Sequence, residues 1–318
     1  MKLPFHGRLL ALAVTSAVAL CAPFTAVHAD EKPKVALVMK SLANEFFRTM
    51  EDGAKDYQKA HPEDFDLVAH GIKNETDTGE QIRIVEQMVN SGAKALVIAP
   101  ADSKALVSAV KKAMDQGVVV INIDNRLDPE LLKSKGISVP FVGPDNRKGA
   151  RLVGEYLAQQ KLKAGDQVGI IEGVPTTTNA QQRTAGFKDA MQAAQMNIVS
   201  VQSGNWEIDK GNAVAASMLN EYPDLKALLA GNDSMALGAV AAVRAAGKAG
   251  QVQVVGYDNI NAIKPMLKDG RVLATLDQAA SQQAVFGIQA ALKVLKGEKP
   301  DVDADNVIQT PVKLITQP

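Results

Sequence analysis

Polar and aromatic side chains gather wherever a short apolar run stops. Lys40 and Asn44 follow the run Val35–Met39, with Phe46 and Phe47 directly behind them. Asp124, Asn125 and Arg126 follow Val118–Ile123, and Thr176 to Asn179, with Gln181 and Arg183, follow Gln167–Glu172. Trp206 comes after Ile198–Gln202, Asn232 and Asp233 after Ala227–Ala230, Asp258 and Asn259 after Val252–Tyr257, and Asp277 and Gln278 after Val272–Leu276. Each has an ordinary local explanation. Asn44, Asp233 and Asn259 suit helix caps, the two phenylalanines suit a core, and Arg183 suits an ion pair on a helix. The repetition at seven strand ends points to one shared site instead. A carboxylate accepts hydroxyl hydrogen bonds and an amide both donates and accepts. An aromatic ring stacks on an apolar C–H face. Such a set suits a neutral, polyhydroxylated ligand of the sugar type, held in a cleft.

No catalytic pattern competes with that reading. The sequence has no Gly-x-Ser-x-Gly elbow and no Gly-rich phosphate loop ending in Gly-Lys-Ser/Thr. Two of the four histidines, His61 and His70, lie beyond residue 29, without metal-ligand spacing. Asp124 and Asp258 could pair as acid and base on a glycoside, but only their residue type favours it. Neither a cofactor nor a metal is expected.

The elements that must position these residues follow from periodicity. A chain of 318 residues exceeds what one core usually holds, so two domains are expected. From Lys34 onward, apolar runs alternate with helical patterns at about Asn44–His61, Asp77–Ser91 and Ser103–Gln116. Asp77 and Ser103 are read as N-caps, and Gly92 and Gly117 as C-terminal stops. This spacing predicts α/β lobes with doubly wound parallel sheets and helices on both faces. Ligands bind in such sheets at the carboxyl ends of the strands, where the polar residues fall. Residues 125–139 read as a loop, Pro140–Asp145 as a short proline-bounded strand suited to a connection between lobes rather than a central strand, and Val307–Ile315 as one final strand. The expected division is 30–143 plus 279–307 for one lobe and 144–278 plus 308–318 for the other, joined by a multi-strand hinge.

Lys2 and Arg8 followed by the apolar stretch Leu9–Leu20 and Val27-His28-Ala29 form the pattern of an export signal, cleaved after about Ala29. Leu20 before Cys21 is a poor match for a lipid-anchor site. Cleavage would remove the single cysteine, so the mature protein would hold together without disulfides in an oxidising compartment. With 35 basic and 35 acidic residues, there is no electrostatic case for nucleic acid or an anionic membrane.

The turn SLANEFF at Ser41–Phe47, VINIDN at Val120–Asn125, AGNDSMALGAV at Ala230–Val240 and VVGYDN at Val254–Asn259 carry a family resemblance. In this order and spacing, the chain resembles the periplasmic sugar-binding proteins that serve ABC importers, the type I periplasmic binding proteins, with the ribose binders most similar. The resemblance implies that Lys40, Asn44, Phe46, Phe47, Asp124 and Asn125 line one wall of a cleft. It implies that Gln181, Trp206, Asn232 and Asp258 line the other, with Gln278 near the hinge. Trp206 stands where a Phe is usual, Lys40 replaces a small hydroxyl residue, and Asn125 and Gln181 fall where arginines are usual. Ribose is therefore the first expectation, with another pentose, a hexose or a sugar alcohol as alternatives, and a signalling sugar beside a nutrient. The implied mechanism is hinge closure near Gly143–Asp145, Gln278 and Val307–Gln309 by a periplasmic monomer, recognised by a membrane permease, with a chemoreceptor as a second candidate. A carbohydrate-active enzyme and a DNA-binding repressor are the rival classes. The second lacks a headpiece, because an export signal occupies its place.

Overall fold

A computed structural model of the protein describes residues 1–2 and 32–317. The leader expected over residues 1–29 lies outside these, apart from its first two residues. The chain runs β1 (Lys34–Ser41), α1 (Glu45–Ala60), β2 (Asp66–Ile72), α2 (Thr78–Asn90), β3 (Ala95–Ile98), α3 (Val107–Asp115), β4 (Val119–Ile123), α4 (Pro129–Ser134) and β5 (Phe141–Gly143). It continues through α5 (Asn146–Lys161), β6 (Gln167–Glu172), α6 (Thr178–Ala193), β7 (Asn197–Ser203), α7 (Ile208–Glu221), β8 (Leu225–Ala230), α8 (Asp233–Ala245) and β9 (Gln253–Val255). Then come α9 (Lys264–Lys268), β10 (Ala274–Asp277), α10 (Ala280–Leu295), β11 (Val307–Gln309) and β12 (Lys313–Thr316).

These strands form two six-stranded sheets, ordered β2-β1-β3-β4-β5-β11 and β7-β6-β8-β9-β10-β12. The first is wholly parallel, while β12 pairs antiparallel with β10 at the edge of the second. Side chains alternate across each strand, so both faces of β1 must be apolar to be buried. Val35, Leu37 and Met39 join one core with Met50 and Ile288, while Ala36 and Val38 join another with Val85 and Val110. The first of these cores continues through Trp206 and Met235 into the second lobe.

The chain passes between lobes three times: from β5 to α5, from β10 to α10, and from β11 to β12. The stretch expected as one final strand is therefore two strands in different sheets. Pro311, which has no N–H to give a ladder, lies between them, so the crossing falls at residues 310–312 and β11 ends at Gln309. Pro140–Asp145 is more than a connection. Phe141–Gly143 pairs with β4 on one side and β11 on the other, with the prolines outside the paired residues. Residues 125–139 contain the short helix α4, capped by Asp128 and led by Pro129, an allowed position because the first helical N–H has no partner to lose. Ser103 does not cap α3. Asp102 instead accepts from the Lys104 and Ala105 amides, and α3 begins only at Val107.

Candidate functional site

The turn between β1 and α1 delivers a cation, an amide and two rings to one place. Asn44 caps α1, its Oδ1 accepting from the Phe46 amide at 3.0 Å, while its Nδ2 donates to Glu75 Oε1 at 3.0 Å. Helix cap and cavity wall are thus the same residue. Phe46 and Phe47 meet edge to face, with centroids 5.1 Å apart. The Lys40 ammonium lies 3.3 Å from Glu75 Oε2, 4.0 Å from Asp124 Oδ2 and 5.3 Å from the Phe47 centroid. Asp124, one step past β4, has a φ of 62°, a left-handed value uncommon outside glycine.

The second lobe answers with Arg183 and Trp206. Arg183 Nε donates to Asn146 Oδ1 at 2.8 Å and its Nη1 to the Gly231 carbonyl at 2.9 Å. The same Nη1 lies 3.5 Å from Asp258 Oδ1, and the guanidinium stacks 3.8 Å from the Tyr257 centroid. Gln278, in the crossing after β10, donates to Asp258 Oδ1 at 2.7 Å and is itself held by Gln283. Trp206 and Asp258 also have positive φ, 69° and 120°. Left-handed backbone concentrates where a scaffold over-determines a ligand clamp. The Trp206 ring lies flat on the backbone of Gly173, where a Cβ would come within 2.0 Å of it, so only glycine fits there.

These side chains converge on a narrow cavity of about 10 Å³. The first lobe lines it with Lys40, Asn44, Phe46, Phe47 and Asp124, the second with Asn179, Arg183, Trp206, Asn232 and Asp258, and the crossing with Gln278. Asp124 Oδ2 and Trp206 Nε1 are buried there with no hydrogen-bond partner among the described residues. Burial pushes the Asp258 carboxyl up to about 7 against the pull of Arg183 and Gln278. It also raises Asp124 against Lys40 and Arg183, and Glu75 against Lys40 and Asn44.

The mouth of the cavity is fastened by two groups of hydrogen bonds between lobes. In one, the Thr178 amide donates to Ser103 Oγ at 2.9 Å, Thr178 Oγ1 to the Arg126 carbonyl at 3.1 Å, and the Asn179 amide to Asn125 Oδ1 at 3.3 Å. In the other, the Glu45 carboxylate accepts from the Asn261 and Ala262 amides at 2.7 and 3.2 Å.

Two residues expected in the cleft are not in its wall. Asn125 is turned behind it, donating to the Pro100 carbonyl at 3.0 Å and fastening the mouth. Gln181 is exposed on α6 and donates to the Pro175 carbonyl. Arg183, expected as an ion-pairing helix residue, is 3% exposed and lines the cavity. Asp233 and Asn259 cap no helix. Asn232 caps α8 by accepting from the Met235 amide, Asp233 accepts from Thr275 and the Ile260 amide, and Asn259 donates to Asp277. Sequence reasoning missed Asn179 as a wall residue, and Glu75 altogether. The signal for Glu75 was available, since it too follows a strand, β2.

The periplasmic binding protein domain family matches residues 35–299. The chain belongs to the periplasmic binding protein family. Its business is therefore binding rather than catalysis, and its compartment the periplasm. It is 73% identical to a D-ribose/D-allose-binding protein of Pseudomonas aeruginosa, over the full length of both. It is also 35% identical to the ribose import binding protein of Escherichia coli, over 90% of this chain and 92% of that one. Among solved structures, an ABC transporter solute-binding protein of Burkholderia multivorans superposes with a TM-score of 0.86 at 72% identity, covering 90% of this chain and all of that one. A solute-binding protein of Actinobacillus succinogenes with bound D-allose gives 0.83 at 34%, over 90% and 98%. As in those periplasmic binding proteins, two parallel-sheet α/β lobes build the fold.

Proposed function

We propose that this protein captures a monosaccharide between its lobes, ribose or allose, and presents the closed form to an ABC permease. One observation carries the reading. A buried cavity bears aromatic faces and hydrogen-bonding groups from both lobes, and Asp124 Oδ2 and Trp206 Nε1 have no hydrogen-bond partner among the described residues. Buried polar groups require partners, and sugar hydroxyls supply them where protein does not. Contacts to both lobes exist only when the hinge is shut, so binding shifts the population toward closure. We draw the lobes as 32–143 plus 280–309 and 146–277 plus 313–317, with the remaining short stretches as hinge. The protein acts as a monomer after cleavage near Ala29, with the permease as its partner and a chemoreceptor as a second candidate. Isothermal titration of the mature chain with ribose, allose, arabinose, galactose and myo-inositol tests this. Micromolar or tighter binding of ribose or allose is the expected result, and heat with none of these sugars would refute it.

Closure should also respond to pH. Exposed to water, Asp258 would titrate near about 4, whereas in the closed cavity it sits at about 7 among Arg183, Lys40, Asp124 and the equally buried Asp233. The closed form therefore takes up protons at a pH where the open form does not. By linkage, acidification from about 7 toward about 4 favours closure of the sugar-free protein. Small-angle scattering should give a smaller radius of gyration at pH 5.5 than at pH 8. An unchanged or larger radius at pH 5.5 would refute it.

A further inference from the structure

Glu75 does not line the cavity, yet its carboxylate accepts a hydrogen bond from one side chain that does, Asn44, and is ion-paired, without a hydrogen bond, to another, Lys40. Oε1 accepts from Asn44 Nδ2 at 3.0 Å, and Oε2 lies 3.3 Å from Lys40 Nζ. Glu75 is 2% exposed, Lys40 is 3% exposed, and Asp124 stands farther from the ammonium, at 4.0 Å. Lys40 is thus a buried cation between two anions, drawn to the one outside the wall. A lysine ammonium is a point charge on a flexible stem, so nothing in its own geometry fixes where it rests. Removing Glu75 would leave Asp124 as the one carboxylate within reach. The ammonium would then occupy Asp124 Oδ2, the oxygen that now has no hydrogen-bond partner.

Resting on the sugar-binding reading above, we infer that Glu75 is a positioning residue for sugar recognition. Its charge holds Lys40 off Asp124, which keeps Asp124 Oδ2 free for a hydroxyl. It also fixes which end of the Asn44 amide faces the ligand. Glu75 therefore governs which sugar stereochemistry fits, without touching the sugar.

The test is a double-mutant cycle on the mature chain, with titrations of ribose and allose against wild type, Glu75→Gln, Lys40→Met and the double variant. Charged hydrogen bonds set the scale. Glu75→Gln should weaken binding about tenfold or more and change the ribose-to-allose ratio, yet have less than about threefold effect once Lys40 is Met. An equal loss in both backgrounds, or an unchanged ratio, would overturn the proposal and leave Glu75 a strut for Asn44. Glu75→Asp, which keeps the charge but withdraws it by one methylene, should fall between wild type and Gln and serves if the Gln variant does not fold. A crystal structure of either variant reads the ammonium without any sugar. Lys40 Nζ moved onto Asp124 is expected, and an unmoved Lys40 refutes the inference. Failure of the wild type to bind either sugar would sink the functional reading instead, and the crystallographic result would still decide the role of Glu75.

Discussion

Replacing Arg183 with Met should abolish sugar capture and lower the unfolding midpoint together. The guanidinium has four separate duties: it donates to Asn146 Oδ1 and the Gly231 carbonyl, pairs with Asp258 and covers Tyr257. Methionine fills part of the volume and performs none of the polar ones. Asp258 would stay buried without its nearest cation. Breaking a buried pair from one side costs about 3–5 kcal/mol, or a fall in midpoint of roughly 10 °C for a chain of this size. Binding should weaken at least about a thousandfold, because the wall would lose its guanidinium donors and Asp258, no longer held down by Arg183, would turn neutral and cease to be an anionic acceptor. Arg183→Lys should not rescue it, since one ammonium cannot serve three diverging acceptors. Thermal melts and titration calorimetry read both effects. A variant that melts early but binds within tenfold of wild type would show that Arg183 only supports the fold.

Trp206 carries the second large effect. Its ring packs on Gly173, lies 5.3 Å from both Lys40 Nζ and the Arg183 guanidinium carbon, and offers Nε1–H with no protein partner. Trp206→Ala should cost about 3–5 kcal/mol of stability through lost packing. Affinity should drop about a hundredfold through loss of the stacking face and the donor. Trp206→Phe separates the two contributions. It keeps an apolar face and loses one hydrogen bond worth about 0.5–1.5 kcal/mol, so binding should fall by no more than about tenfold. Because this is the only tryptophan in the chain, its fluorescence reports on the cavity directly. Sugar should change the wild-type emission, and a silent spectrum during calorimetrically measured binding would place the ligand elsewhere. If Phe proves as damaging as Ala, the hydrogen bond outweighs the ring and the stacking argument fails.

Much of this architecture was legible because its causes are local. A strand buried on both faces must be apolar throughout, and a helix start needs a cap, so β1, Asn44 and α1 can be read from a dozen residues. The strand-end rule then placed Asp124, Trp206, Asn232, Asp258 and Gln278 near one another without any coordinates. The errors share a different cause. Gln181 and Arg183 are two positions apart on α6, about 200° around the helix, so only one can face the cavity. Which one does depends on how α6 sits against β8 and the Asp258 turn. Asp124 and Asn125 are neighbours, yet Asp124 lines the cavity while Asn125 bonds to Pro100, Ser103 and the Asn179 amide. Pattern alone could not rank either pair.

The alternating α/β order, the two lobes, the apolar walls of each sheet and most of the side chains that converge at the strand ends can be read from the chain alone. Hydrophobic periodicity and capping act over a few residues and are written in the chain directly. Packing settles that Arg183 lines the site, that Asn125 fastens its mouth, that residues 307–316 divide between sheets, and that Glu75 stands behind Lys40. Each of these depends on which elements lie side by side. The energy of a buried charge is set by the neighbours that replace its water, and those neighbours come from distant parts of the chain.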